Sequence, residues 1–102
     1  MAGVGRGTTP INIFEVDVDL RDAVVVWLTY KQNSKIVIHK DKADLEIEEN
    51  EVRVQLTQEE TLALKDSAPV RMQFRARYAD DNAIKSNIMQ ATVEEILEGG
   101  VI

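Results

Sequence analysis

The chain has 102 residues, 44% of them apolar, and no cysteine, which excludes disulfides, thiolate metal sites and cysteine nucleophiles. Twelve basic and eighteen acidic residues give a formal net charge of −6, which disfavours nucleic-acid binding as a main activity. The longest apolar run, Ala23 to Leu28, is far shorter than the roughly 20 residues that span a bilayer, and residues 1–10 have no apolar stretch typical of a signal peptide. One soluble domain is expected.

The first predicted elements are an arm and a strand. Residues 1–10 contain three glycines and predict a flexible N-terminal arm. Ile11 and Ile13 begin an alternating pattern that predicts a strand over residues 11–18. Phe14 and Glu15 interrupt that alternation, which favours a bulge.

The next strand, Ala23 to Tyr30, is apolar on both faces, and this is typical of a strand in the centre of a sheet. One face carries Val26 and Leu28, and the other carries Val25 and Trp27. In one interpretation, the short helix or a terminal segment covers this second face. In the other, Trp27 lies in a subunit interface, because aromatic residues are enriched at interfaces.

Turns and a helix cap divide the middle of the chain. A polar turn at residues 31–34 precedes a short strand at 36–38, and residues 49–50 separate two alternating runs that predict a hairpin. Thr57 followed by Glu60 three positions later matches a capping box, which predicts a helix of about two turns.

The clearest alternation runs from Val70 to Tyr78, with the apolar residues on one side and Arg71, Arg75 and Arg77 on the other. Carboxylates on other strands are expected to pair with this basic stripe. The alternative is a docking surface for an acidic protein partner. Residues 84–97 predict a last strand, and residues 99–102 a C-terminal tail.

These elements amount to about seven strands, with one short helix between strands five and six. Their spacing and the absence of alternating long helices predict an all-β fold, an antiparallel immunoglobulin-like β-sandwich over residues 11–98.

No residue pattern points to catalysis. His39, the single histidine, lies at a strand end beside charged residues and is expected on the surface. Asp80, Asp81 and Asn82 match a turn and not a calcium-binding loop. No catalytic residue, metal site or cofactor is therefore predicted, and the chain is not expected to be an enzyme.

Five stretches of the chain match a known group of proteins: residues 6–10, 29–33, 56–62, 86–88 and 96–102. In these stretches the chain resembles small uncharacterised proteins encoded in the structural-gene clusters of phages and prophages of Gram-positive bacteria. It is also distantly similar to the N-terminal sandwich domains of baseplate upper proteins. One departure is Ile11-Asn12-Ile13, since relatives usually have polar residues after the proline.

The resemblance implies a non-enzymatic role in virion structure or tail and baseplate assembly, in the bacterial cytoplasm during assembly and in the virion. It implies other phage structural proteins, or copies of the same chain, as partners. Nucleic acid, membrane and small-molecule substrates are not expected. A stand-alone adaptor or host-interaction module is the alternative, and an enzyme would need a deep polar pocket. The candidate interface residues are Trp27, Val25, Ile11, Ile13, Arg71, Arg75, Arg77, Val101 and Ile102.

Overall fold

The computed structural model describes residues 3–102 and forms two β-sheets with one short α-helix. No helix in this range is long and apolar enough to cross a membrane. In chain order the elements are β1 (Gly3–Gly5), β2 (Ile11–Glu15), β3 (Val25–Gln32), β4 (Lys35–Asp41), a 3₁₀-helix (Lys42–Asp44), β5 (Glu46–Ile47), β6 (Glu51–Gln55), α1 (Gln58–Leu62), β7 (Val70–Arg77), β8 (Ala83–Lys85) and β9 (Met89–Glu94).

The two sheets differ in size. The larger sheet has the order β1-β9-β7-β3-β4, with β8 also paired to β7, and the smaller sheet has the order β2-β6-β5. β7 pairs with β3 along one edge. Along its other edge it pairs first with β9 and then with β8. Neighbouring strands are antiparallel except β1 and β9, which are parallel.

This topology confirms the predicted immunoglobulin-like sandwich. In that fold one sheet has the strand order A-B-E-D, and the other contains G-F-C, extended by C′ in variable-type domains. The order β2-β6-β5 corresponds to B-E-D, and β9-β7-β3-β4 corresponds to G-F-C-C′. The first strand, β1, pairs with β9 in the larger sheet, so within residues 3–102 the position beside β2 is open.

An aromatic pair joins the two sheets at the centre of the core. Phe14 on β2 and Phe74 on β7 meet edge to face, with ring centroids 5.1 Å apart and an interplanar angle of 87°. These strands match B and F, which carry the disulfide of antibody domains. Such an aromatic contact contributes about 0.5–1.5 kcal/mol beyond simple burial, so it links the sheets without cysteine.

The prediction of a flexible N-terminal arm was wrong for the part of it that the structure describes. Gly3–Gly5 form β1, and the Val4 side chain is 0% exposed. The backbone N–H of Arg6 donates to the Glu94 carbonyl, and the Thr61 hydroxyl donates to the Thr8 carbonyl. Burial of Val4 and these hydrogen bonds hold the segment in place, and the glycines on either side of Val4 remove the alternation that would predict a strand. Met1 and Ala2 lie outside the described residues.

The helix and the neighbouring hairpin follow the sequence closely. Thr57 accepts from the Glu60 backbone N–H, and the Glu60 carboxylate accepts from the Thr57 N–H, which confirms the capping box. β5 and β6 form the predicted hairpin. The helix itself is shorter than predicted, because Leu62 is followed by a turn.

Two other predicted strands, over residues 11–18 and 84–97, differ from the strands of the structure. β2 ends at Glu15 in regular register with β6, so the structure has no bulge at Phe14. The predicted strand over residues 84–97 is divided into β8 and β9. The division occurs at Ser86, whose hydroxyl accepts from the Phe74 backbone N–H in place of a ladder partner.

The buried face of β2 explains why its isoleucines lie outside. Asn12 and Phe14 face the core, and Ile11 and Ile13 face away from it. The Asn12 amide donates to the buried Tyr30 hydroxyl at 2.5 Å, which satisfies both polar groups. Burial raises the pKa of Tyr30 to about 12, and the Asn12 hydrogen bond partly offsets that increase.

Candidate functional site

The outer face of β3 is not covered. Val26, Leu28 and Tyr30 point into the core, whereas Trp27 on the opposite face is 41% exposed. β3 lies centrally between β7 and β4, as predicted. Neither the helix nor a terminal segment within residues 3–102 covers Trp27, so the first interpretation of its face was wrong.

The ladder between β3 and β7 places the basic stripe beside this tryptophan. Val25 is opposite Arg77, Trp27 is opposite Arg75, and Lys31 is opposite Arg71. The structure therefore brings together five of the nine candidate interface residues. We call the surface formed by Trp27, Lys31, Arg71, Arg75, Arg77 and Lys85 the Trp27 face.

Two aromatic contacts hold the Trp27 ring in place. The Arg75 guanidinium carbon lies 5.6 Å from the ring centroid, within the range of a cation–π interaction. The His39 ring meets it edge to face at 5.4 Å. His39 Nε2 in turn lies 3.0 Å from Asp41 Oδ1. His39 is on the surface, as predicted, but it lies within β4 and supports the tryptophan.

The positive charge of the Trp27 face is largely uncompensated. Carboxylates were expected to pair with the arginines, yet within residues 3–102 only Arg77 forms such an ion pair, with Asp81 at 3.3 Å. Lys31 is opposite Arg71, and Arg75 is opposite Lys85. Like charges in directly opposed positions destabilise a sheet. This local conflict is typical of a surface kept for binding.

The surface around Trp27 is broad and shallow. A depression of about 330 Å³ lies beside it, with Thr29, Arg71 and Gln73 in its floor and walls. Ile36 and Ile88 also line it and are more than half exposed. A smaller depression of about 280 Å³ lies on the other side of Trp27. Apolar and cationic side chains thus alternate across the face.

Four residues of this surface were missed from the sequence. Lys31 and Ile36 flank the β3–β4 turn, where Asn33 and Ser34 have φ values of 48° and 67°. Since the turn residues were recognised, hairpin pairing could have placed Lys31 beside Ile36, but its position beside Arg71 depends on the pairing of β3 with β7. Lys85 and Ile88 depend on the division of the last strand, for which the sequence has no clear signal.

Ile11 and Ile13 lie elsewhere, on the outer face of the smaller sheet, and are 60% and 51% exposed. The Pro10 carbonyl accepts from Leu56 and the Val16 N–H donates to Asn50, both in the ladder with β6. Because antiparallel pairing alternates, the peptide groups of Ile11 and Ile13 face the open edge of β2. These isoleucines therefore form a separate surface.

Val101 and Ile102 are a third, separate group beside α1. The Gln58 amide nitrogen donates to the Ile102 carbonyl, and its oxygen accepts from the Ile102 N–H. The Ile102 side chain is fully exposed. The predicted tail is thus anchored by one glutamine, and its apolar side chains contribute nothing to the core.

A further depression of about 350 Å³ opens between the sheets where β7 changes partner from β9 to β8. Phe74, Ile84 and Met89 line it, together with Glu15 and Lys85. It exposes core side chains, and Asp17, Ser86 and Asn87 also line it. Its shape reflects the division of the last strand.

The acidic turn contains no metal cluster. Asp80 accepts from the backbone N–H and the side-chain amide of Asn82, as turn chemistry predicts. Asp81 has a φ of 69°. Among residues 3–102, no group of three histidine or carboxylate side chains could hold a metal ion.

Comparison with known proteins adds one structure. No family model matches the chain, and no curated protein matches it. A solved structure, the V domain of amphioxus IgVJ-C2, is similar over 90% of this chain and 98% of its own, at 11% identity and a TM-score of 0.40. The assignment of the chain to an immunoglobulin-like sandwich therefore rests on its own strand order.

Proposed function

We propose that the chain is a non-enzymatic structural or assembly protein of a phage or prophage particle, and that it works by protein–protein contact through the Trp27 face. The observation that carries the proposal is the exposed Trp27, held by Arg75 and His39 among unpaired cations. Tryptophan and arginine dominate the binding energy of protein interfaces.

The chemistry of the Trp27 face favours a protein partner. A partner that buries Trp27 gains apolar area, and its carboxylates can form bidentate hydrogen bonds with Arg71 and Arg75. Such pairs would also relieve the like-charge repulsion between Lys31 and Arg71. A flat surface of this kind matches another protein better than it matches a small molecule.

The phage assignment is supported by the sequence resemblance. Two of its matching stretches have structural roles here: residues 29–33 form part of the β3–β4 hairpin, and residues 56–62 contain the α1 cap. Residues 96–102 are exposed apart from the half-buried Ile96, and they suit a docking tail.

The experiment measures binding to the tail and baseplate proteins encoded beside the chain. Trp27→Ala is expected to weaken binding at least 30-fold, the loss of about 2 kcal/mol typical of an interface hot spot. Val18→Ala, at an exposed apolar site that is not part of the Trp27 face, is the matched control and should bind normally.

The outcomes separate the proposal from its alternative. Equal binding by both variants would reject the Trp27 face as the contact surface. Binding to a host protein and to no particle protein would favour the stand-alone adaptor module. Recovery of the chain from purified particles, lost in Trp27→Ala, would support the assembly role.

A further inference from the structure

We propose that the Trp27 face binds the acidic hairpin of a second copy of the chain. This inference rests on the proposed function, because it uses the same surface and names its partner. The acidic hairpin is defined as residues 46–51, which comprise β5, the following turn and the first residue of β6. The two surfaces belong to different sheets, so a rigid sandwich cannot bring its own pair together.

The acidic hairpin is the electrostatic opposite of the Trp27 face. It carries four glutamates in six residues, namely Glu46, Glu48, Glu49 and Glu51. All are exposed except Glu51, which is half-buried. β5 is the edge strand of the smaller sheet, and Glu48 and Glu49 lie exposed at the end of the hairpin.

Few cations offset the hairpin's charge within its own molecule. Arg53 lies opposite Glu46 and donates to Glu51 at 2.9 Å. The Glu51 hydrogen bond, followed by the charges of Glu51, Glu46 and Glu48, raises the pKa of Arg53. Glu15 lies opposite Glu51, so the smaller sheet also contains an opposed like-charge pair.

One contact would therefore relieve repulsion on both partners. Glutamates of the hairpin would face Arg71 and Arg75, which line the shallow depression beside Trp27. The net charge of −6 on each copy opposes approach, but salt screens repulsion beyond about 10 Å at 0.1 M. Pairs in contact lie well inside that distance.

The contact joins two different surfaces, and each copy offers both. Two copies that exchange both contacts form a closed two-fold dimer, whereas a contact repeated in one direction produces a ring or an open filament. The expected behaviour is reversible association that grows with concentration and weakens with salt.

Sedimentation velocity tests the proposal in the micromolar to millimolar range. The wild type should associate at about 0.1 M NaCl, where repulsion beyond about 10 Å is screened, and dissociate at about 1 M NaCl, where the Debye length is about 3 Å. The first variant, R71E/R75E/K85E, has an acidic face and an acidic hairpin and should remain monomeric.

The second variant, E46K/E48K/E49K, has a basic face and a basic hairpin and should also remain monomeric. An equal mixture of the two variants should associate, because each supplies the surface complementary to the other. Circular dichroism is used to check that both variants are folded.

A third variant controls for total charge. D66K/E95K/E98K changes the charge by the same amount as the second variant, at exposed positions outside both surfaces. It should associate as the wild type does.

The results distinguish this inference from the proposed function. A wild type that stays monomeric at low salt, or two folded variants that fail to associate on mixing, overturns the self-contact. If the monomeric chain still binds a particle protein in a Trp27-dependent manner, the proposed function stands without it. Absence of both kinds of binding rejects both.

Discussion

The two faces of strand β3 have similar composition and opposite environments. Val26, Leu28 and Tyr30 are fully buried against the smaller sheet, whereas Val25, Trp27 and Thr29 form an uncovered surface. The inner face therefore contributes to stability, and the outer face is exposed.

The largest expected effect is the difference in stability loss between a substitution on the inner face of β3 and one on its outer face. Leu28→Ala should lower the free energy of unfolding by about 2–5 kcal/mol, because it opens a cavity in the core. Trp27→Ala should lower it by about 1 kcal/mol or less, since the ring loses mainly its contacts with Arg75 and His39. Urea unfolding of both variants measures the difference, and equal losses would contradict it.

Alkaline pH should weaken the inner face selectively. Burial raises the pKa of Tyr30 to about 12, so the unfolded chain releases this proton first, near pH 10. The protonated Tyr30 hydroxyl contributes on the order of 2 kcal/mol to the free energy of unfolding. This contribution is fully present below pH 10 and is lost as pH rises toward 12.

Urea unfolding at about pH 8 and about pH 11 tests this linkage. Tyr30→Phe should flatten the decline in stability over that range. Tyr78→Phe is the comparison: burial also raises the Tyr78 pKa, but that hydroxyl lies near the surface and donates to the Asp19 carbonyl, so this variant should flatten the decline less than Tyr30→Phe. An unchanged decline in Tyr30→Phe would count against the assignment.

The N-terminal segment also contributes a buried side chain to the core, that of Val4. Val4→Ala should cost about 1–2 kcal/mol, because Val4 is buried beside β9 and its truncation leaves a cavity. Deleting residues 98–102 should cost less, since their apolar side chains are exposed. Thermal unfolding measures which variant loses more stability. A larger loss from the C-terminal deletion than from Val4→Ala would favour the flexible-arm prediction.

The smallest effect concerns charge on the outer face. Arg71→Gln should raise the free energy of unfolding by a few tenths of a kcal/mol at low salt, because it removes the repulsion with Lys31. The gain should disappear at about 1 M NaCl. A loss of stability at low salt would show that Arg71 has a stabilising partner in the monomer.

The sequence predicts the fold well because most of its strands alternate clearly. The pattern from Val70 to Tyr78, the capping box at Thr57 and the β5–β6 hairpin are local signals, and the structure confirms each. β1 could not be predicted, since its single apolar residue, Val4, lies between glycines and pairs with a strand far along the chain.

The candidate site is only partly encoded in local patterns. Arg71, Arg75 and Arg77 were found from their alternation, but their pairing partners depend on strand order. No carboxylate lies directly opposite these arginines in the strand ladders, and Lys31 and Lys85 occupy two of the opposed positions instead. Strand order is a long-range property, and the pattern of a single strand does not determine it.

The most direct test of the central claim uses Trp27, the single tryptophan of the chain, as its own reporter. Acrylamide quenching of its fluorescence is measured as the chain is concentrated at low salt, and as each neighbouring tail or baseplate protein is added. If the Trp27 face is the contact surface, quenching should fall when association occurs, and the emission should shift to shorter wavelength. Association that leaves the quenching of Trp27 unchanged would contradict the account.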